Sequence, residues 1–164
     1  MKTDSTSARQ KNRSQSMLDD FDAHQHQMEV LCGRLELIAD LLPDQADPTL
    51  CKFTSDGMVK TLSDAQTFEE KELFPALEAV GALESDMSKI IAQLRDEHYE
   101  DLCFAEEIRE NLRTIIEGEP TQSANATGYM LRGFFEKLRR HMAYERHLTA
   151  SLRQKKAPGR PDAS

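Results

Sequence analysis

Residues 85–120, SDMSKIIAQLRDEHYEDLCFAEEIRENLRTIIEGEP, decide the fold. Ile91, Leu94, Leu102, Ala105, Ile108, Leu112 and Ile115 recur at spacings built from three and four residues, the period of one helical face. A start near Ser85 and a stop at Gly118 and Pro120 frame a helix. One position on that face is not apolar: His98 stands between Leu94 and Leu102.

Working outward, three more segments repeat the pattern. Between Ser14 and Leu42 the stripe is Phe21, Met28, Leu31, Leu35, Ile38 and Leu42, and Pro43 and Pro48 mark the turn that follows. A second stripe carries Met58, Leu62, Ala65, Leu73, Leu77 and Val80 and ends near Gly81, with Pro75 expected to kink or loosen its last turns. TQSANAT at 121–127 supplies turn and capping chemistry for a last helix bearing Leu131, Phe134, Leu138, Leu148 and Leu152. Short connections make successive helices antiparallel neighbours, so the sequence predicts an all-α, up-down-up-down antiparallel four-helix bundle over 14–154. Residues 1–13 read as a disordered basic N-terminal tail and 155–164 as a disordered C-terminal tail.

Composition narrows the function classes. A chain of 164 residues suits one domain that can bury a core without disulfides. The net charge of −8 hides basic ends, each contributing about +3, and a middle near −14 that would repel nucleic acid. The opening residues lack the apolar stretch of a signal peptide, and no run of apolar residues is long enough to span a membrane, which predicts a cytoplasmic protein. Cys32, Cys51 and Cys103 are an odd number, widely spaced, and are expected as reduced thiols.

The residues that interrupt the stripes carry the chemistry. His24 falls between Phe21 and Met28, Glu69 between Ala65 and Leu73, and His141 and Glu145 between Leu138 and Leu148. Along an antiparallel path these and His98 lie roughly nine to thirteen residues from one end of the bundle, which at about 1.5 Å per residue places all five in one layer. Two carboxylates in an apolar core cost several kcal/mol unless something compensates them, and a cation shared with three imidazoles is the simplest compensation. His141 and Glu145 are one turn apart and can reach one atom, and their donors suit iron, manganese or zinc. The bland alternative is a buried hydrogen-bonded polar layer without metal. His26 and His147 fall off the inward stripe and are expected at the surface.

The strings AHQHQMEVL at 23–31, TFEEKELFPAL at 67–77, RDEHYEDL at 95–102 and RRHMAYERHL at 139–148 together resemble the hemerythrin-like cation-binding family over residues 18–152. The resemblance implies two irons midway along the bundle, bridged by two carboxylates. His24, His98, His141, Glu69 and Glu145 would be the ligands, with Glu69 and Glu145 the bridging pair. The sequence departs from the family pattern four residues before Glu69, where Ala65 stands in place of a histidine. Gln66 is the neighbour nearest the inward face, able to hold a water or bind weakly through its amide oxygen, while Asp64 points farther away. The implied function is non-haem iron binding in iron, dioxygen or nitric oxide sensing or stress response, rather than oxygen transport, with a di-iron or incomplete di-metal site. The alternative is a degenerate bundle acting as a regulatory or protein-interaction module. No separate nucleophile, phosphate loop or acid–base pair speaks for an enzyme.

Overall fold

The computed structural model describes residues 3–42, 44–81 and 86–154. Helix α1 runs Thr3–Leu41, α2 Pro48–Phe68, α3 Phe74–Val80, α4 Met87–Ile116 and α5 Ala124–Gln154. A π-helical turn, Glu69–Leu73, joins α2 to α3 with helical backbone angles on both sides, so the three pieces form one rod and the fold has four. All described regular structure is helical.

The first helix departs from expectation. It begins at Thr3 instead of Ser14, so the stretch read as a disordered tail is helical over residues 3–13. Those residues contain neither Gly nor Pro, and nothing in them stops a helix that is already nucleated downstream. The expected start at Ser85 and the expected C-terminal tail over 155–164 lie outside the described residues.

Local signals set the other ends. Asp47 caps α2, its carboxylate accepting from Thr49 N at 2.8 Å, and Pro48 takes the first helical position, where its missing N–H costs nothing. Helix α4 ends in paired bonds from Gly118 N–H to Ile115 O and from Glu119 N–H to Thr114 O, with Gly118 at φ 76°. That left-handed turn favours glycine.

Cross-helix contacts give the directions. Arg132 at the start of α5 pairs with Asp40 at the end of α1, whereas Arg153 at the end of α5 reaches Asp22. Asn111 meets Thr127 and Glu97 meets His141, so α4 and α5 are also antiparallel. On the remaining sides Ser55 donates to Arg109 O and Gln66 to His98 O, and Arg34 lies over Phe53 while His24 lies against Phe68. Each rod is therefore antiparallel to its two neighbours, as the up-down-up-down reading requires.

The apolar core comes in two parts. The larger is built around Met28, Leu35, Met58, Leu62, Ile108, Phe134 and Met142, and the smaller around Phe21, Leu73, Phe74, Leu77, Ile91 and Leu94. Between the two parts every rod buries polar side chains, Gln25 from α1, Gln66 and Glu69 from the α2–α3 rod, His98 and Asp101 from α4 and Glu145 from α5, and there the site lies.

Candidate metal centre

Glu69, His98, His141 and Glu145 each turn a ligand atom into the layer between the two cores, and these atoms lie within 4.8 Å of one another. His98 Nε2 is 3.3 Å from Glu69 Oε2 and 3.9 Å from Glu145 Oε1, and His141 Nε2 is 3.3 Å from Glu145 Oε1. Glu145 is 1% exposed, His98 2% and Glu69 4%, so water compensates little of this charge.

The backbone at Glu69 explains its placement. Pro75 has no N–H, and its ring would crowd the carbonyl four residues earlier, so the regular ladder cannot continue through it. The chain widens by one residue instead: Phe74 N–H bonds Glu69 O, five residues back. The loosening expected near Pro75 thus takes the form of a π-turn, and it carries two carboxylates to one ring, since Glu70 Oε1 sits 2.9 Å from His98 Nδ1.

A carboxylate can only accept here, so His98 Nδ1 carries the proton that it donates to Glu70, and His141 Nδ1 likewise donates to Glu97 Oε2 at 3.0 Å. In the neutral ring this leaves each Nε2 with a lone pair directed into the layer. Both Nε2 atoms, and Glu145 Oε1, are buried without a well-aligned hydrogen-bond partner. Phe74 stacks on His98 with ring centroids 5.4 Å apart and closes that side.

Burial and charge oppose each other in this layer. Desolvation pushes the Glu69 carboxyl up to about 7 against the pull of His98. Burial works against protonation of His98 and His141, but Glu145 with Glu69 and Glu70 raises His98 to about 10, and Glu145 with Glu97 raises His141 to about 9. Glu145 is desolvated as well, yet the two imidazoles hold it below its ordinary value. Without a cation the cluster therefore balances its charge with protons. A divalent cation would replace them, since two neutral imidazoles and two carboxylates form a donor set that offsets its charge.

Four of the five residues predicted from the sequence meet here. The fifth, His24, is outside the group: its ring centroid is 5.0 Å from that of Phe68, and its Nδ1 is buried without a hydrogen-bond partner. Gln25 holds the corresponding place on α1. It is 4% exposed, its Nε2 donates to Glu145 Oε2 at 3.0 Å, and its Oε1 accepts from Arg146 at 3.3 Å. His24 stands three residues from Phe21 and four from Met28, and Gln25 stands four and three. Stripe spacing cannot tell them apart.

Ala65 is buried and offers no donor. Gln66 beside it is buried, with Nε2 donating to His98 O at 3.2 Å and Oε1 without a partner, while Asp64 turns outward to Lys60. His26 and His147 are exposed. Sequence reasoning missed Gln25, Glu70 and Glu97 as supports of the ligands. The available signal for Glu97 lay in its neighbour: an inward histidine leaves the preceding residue at the edge of the same helix–helix seam.

No helix among the described residues is long and apolar enough to cross a membrane. No curated protein and no solved structure matches the chain. Residues 16–151 match the family model described as the hemerythrin HHE cation binding domain, which spans all four rods and every residue of the cluster, and the chain belongs to that family.

Proposed function

We propose that this protein binds a transition-metal cation, iron foremost, through Glu69, His98, His141 and Glu145. It acts in iron, dioxygen or nitric oxide sensing or in a stress response rather than in oxygen transport, and works in the cytoplasm. The observation that carries the reading is the convergence of two unpartnered imidazole Nε2 atoms and two buried carboxylates on one point. A bound ion of this type would supply open coordination positions to a small diatomic ligand. Glu70 and Glu97 hold the two imidazoles in the ligating tautomer, and the apolar parts of the core limit access of water.

The test is metal content. Protein purified anaerobically from iron-replete cells should carry iron, with ultraviolet charge-transfer absorption on oxidation, and Glu145→Ala should lose both. Metal no higher than in that variant would sink the reading and favour a metal-free bundle acting as a regulatory or interaction module. In that case the proton-balanced cluster would be the buried polar layer of its core.

A further inference from the structure

The residues of this layer do not fit a pair of ions. A carboxylate that bridges two cations in the common two-oxygen mode offers one oxygen to each. Glu145 Oε1 faces both imidazoles, but Oε2 accepts a hydrogen bond from Gln25 Nε2 at 3.0 Å. The amide cannot be turned to free that oxygen. Its other end accepts from Arg146 at 3.3 Å, and a flipped amide would set oxygen against carboxylate and NH2 against guanidinium. The remaining donors for a second ion are equally reduced. Position 65 is an alanine, and His24 rests against Phe68 outside the ligand group. One neutral imidazole without a carboxylate of its own is a poor host for a divalent ion in a buried site.

We infer that this is a single-cation centre in which Glu69, His98, His141 and Glu145 hold one ion, while Gln25, locked by Arg146, keeps Glu145 from bridging to a second. This rests on the metal-binding reading above and adds the number of ions and the residue that sets it. Gln25 is a positioning residue: it touches no ion, and it acts by occupying one oxygen of a ligand.

Stoichiometry tests it. Metal-free full-length protein is titrated anaerobically with ferrous iron, passed through a desalting column and analysed for iron per chain, and a parallel cobalt(II) titration records the visible ligand-field bands. The expected ratios are one for the natural sequence, one for Ala65→His and two for Ala65→His combined with Gln25→Ala. Gln25→Ala alone should keep one ion but alter the cobalt bands, because Glu145 is then free to bind through both oxygens. Two ions in the natural protein, or two in Ala65→His alone, would overturn the inference while leaving metal binding intact. A folded double variant that stays at one ion, or cobalt bands unmoved by Gln25→Ala, would remove Gln25 from its role. No ion at all in the natural protein would overturn both readings. Far-ultraviolet circular dichroism checks each variant, and if the double variant does not fold, the natural and Ala65→His ratios still decide the number.

Discussion

Glu97→Gln should weaken metal binding at high pH and leave it nearly unchanged near neutrality. The Glu97 carboxylate accepts from His141 Nδ1 at 3.0 Å, and its side chain is 30% exposed. An amide oxygen can still accept that bond, so the tautomer survives while the charge is lost. A hydrogen bond to a charged group contributes about 1.5–3 kcal/mol against about 0.5–1.5 for a neutral one, so the intrinsic loss is about 1 kcal/mol, roughly fivefold in affinity. Proton competition runs the other way. With His141 raised to about 9, only about one ring in a hundred is neutral at pH 7, and the metal must displace that proton. Removing the Glu97 charge weakens the proton's hold, and each tenfold loss of proton affinity returns up to a factor of ten to the metal. The two effects offset each other near pH 7, whereas toward pH 9 the ring is increasingly free in both proteins and only the intrinsic loss remains. Zinc affinity, measured by competition with a chromophoric chelator from pH 6.5 to 8.5, should show a deficit that grows with pH. A deficit that shrinks with pH, or none at any pH while His141→Ala abolishes binding, would refute the role given to Glu97.

Three further outcomes follow from the same geometry. His24→Ala should change metal affinity by less than about threefold, because its ring lies outside the ligand group, while His98→Ala should cost more than about a hundredfold in the same chelator competition. Phe74→Ala, at a fully buried site that also stacks on His98, should destabilise the metal-free protein by about 3–5 kcal/mol in urea unfolding. A chromogenic disulfide reagent at pH 8 should label one thiol of the folded chain, the exposed Cys103, and three after unfolding. Burial pushes Cys32 up to about 12 and raises Cys51, so both stay protonated as well as shielded.

The bundle was legible because its four stripes are long and punctuated. Pro43 and Pro48, Gly81, and Gly118 with Pro120 mark ends that periodicity alone leaves loose. The start of α1 was not legible, because helix extension beyond the last buried residue depends on backbone cooperativity and leaves no apolar mark: among the described side chains of a helix that begins at Thr3, Leu18 is the first buried apolar one. The level of the site was readable by counting, since rise per residue is the same in every rod, and it placed Glu69, His98, His141 and Glu145 together. Rotation about the rod was harder. Each residue turns the helix by about 100°, so at the edge of a stripe His24 and Gln25 compete for one inward place, and only contacts with Phe68 and Arg146 decide between them.

That rotation is what separates this centre from a symmetrical one. Had α1 presented His24 inward, an imidazole would face Glu145 and the carboxylate would be free to share its oxygens. With Gln25 inward, the same carboxylate meets an amide donor fixed from behind by Arg146. Ala65 removes a donor from α2, and Gln25 removes an oxygen that the missing donor's ion would have used. Either change alone denies a second ion a donor that it needs. Together they leave one complete set of four donors, supported by Glu70 and Glu97 on the sides away from the ligand point. Two departures on different helices thus converge on a single ion, which is why restoring the histidine at position 65 without releasing Glu145 should restore nothing.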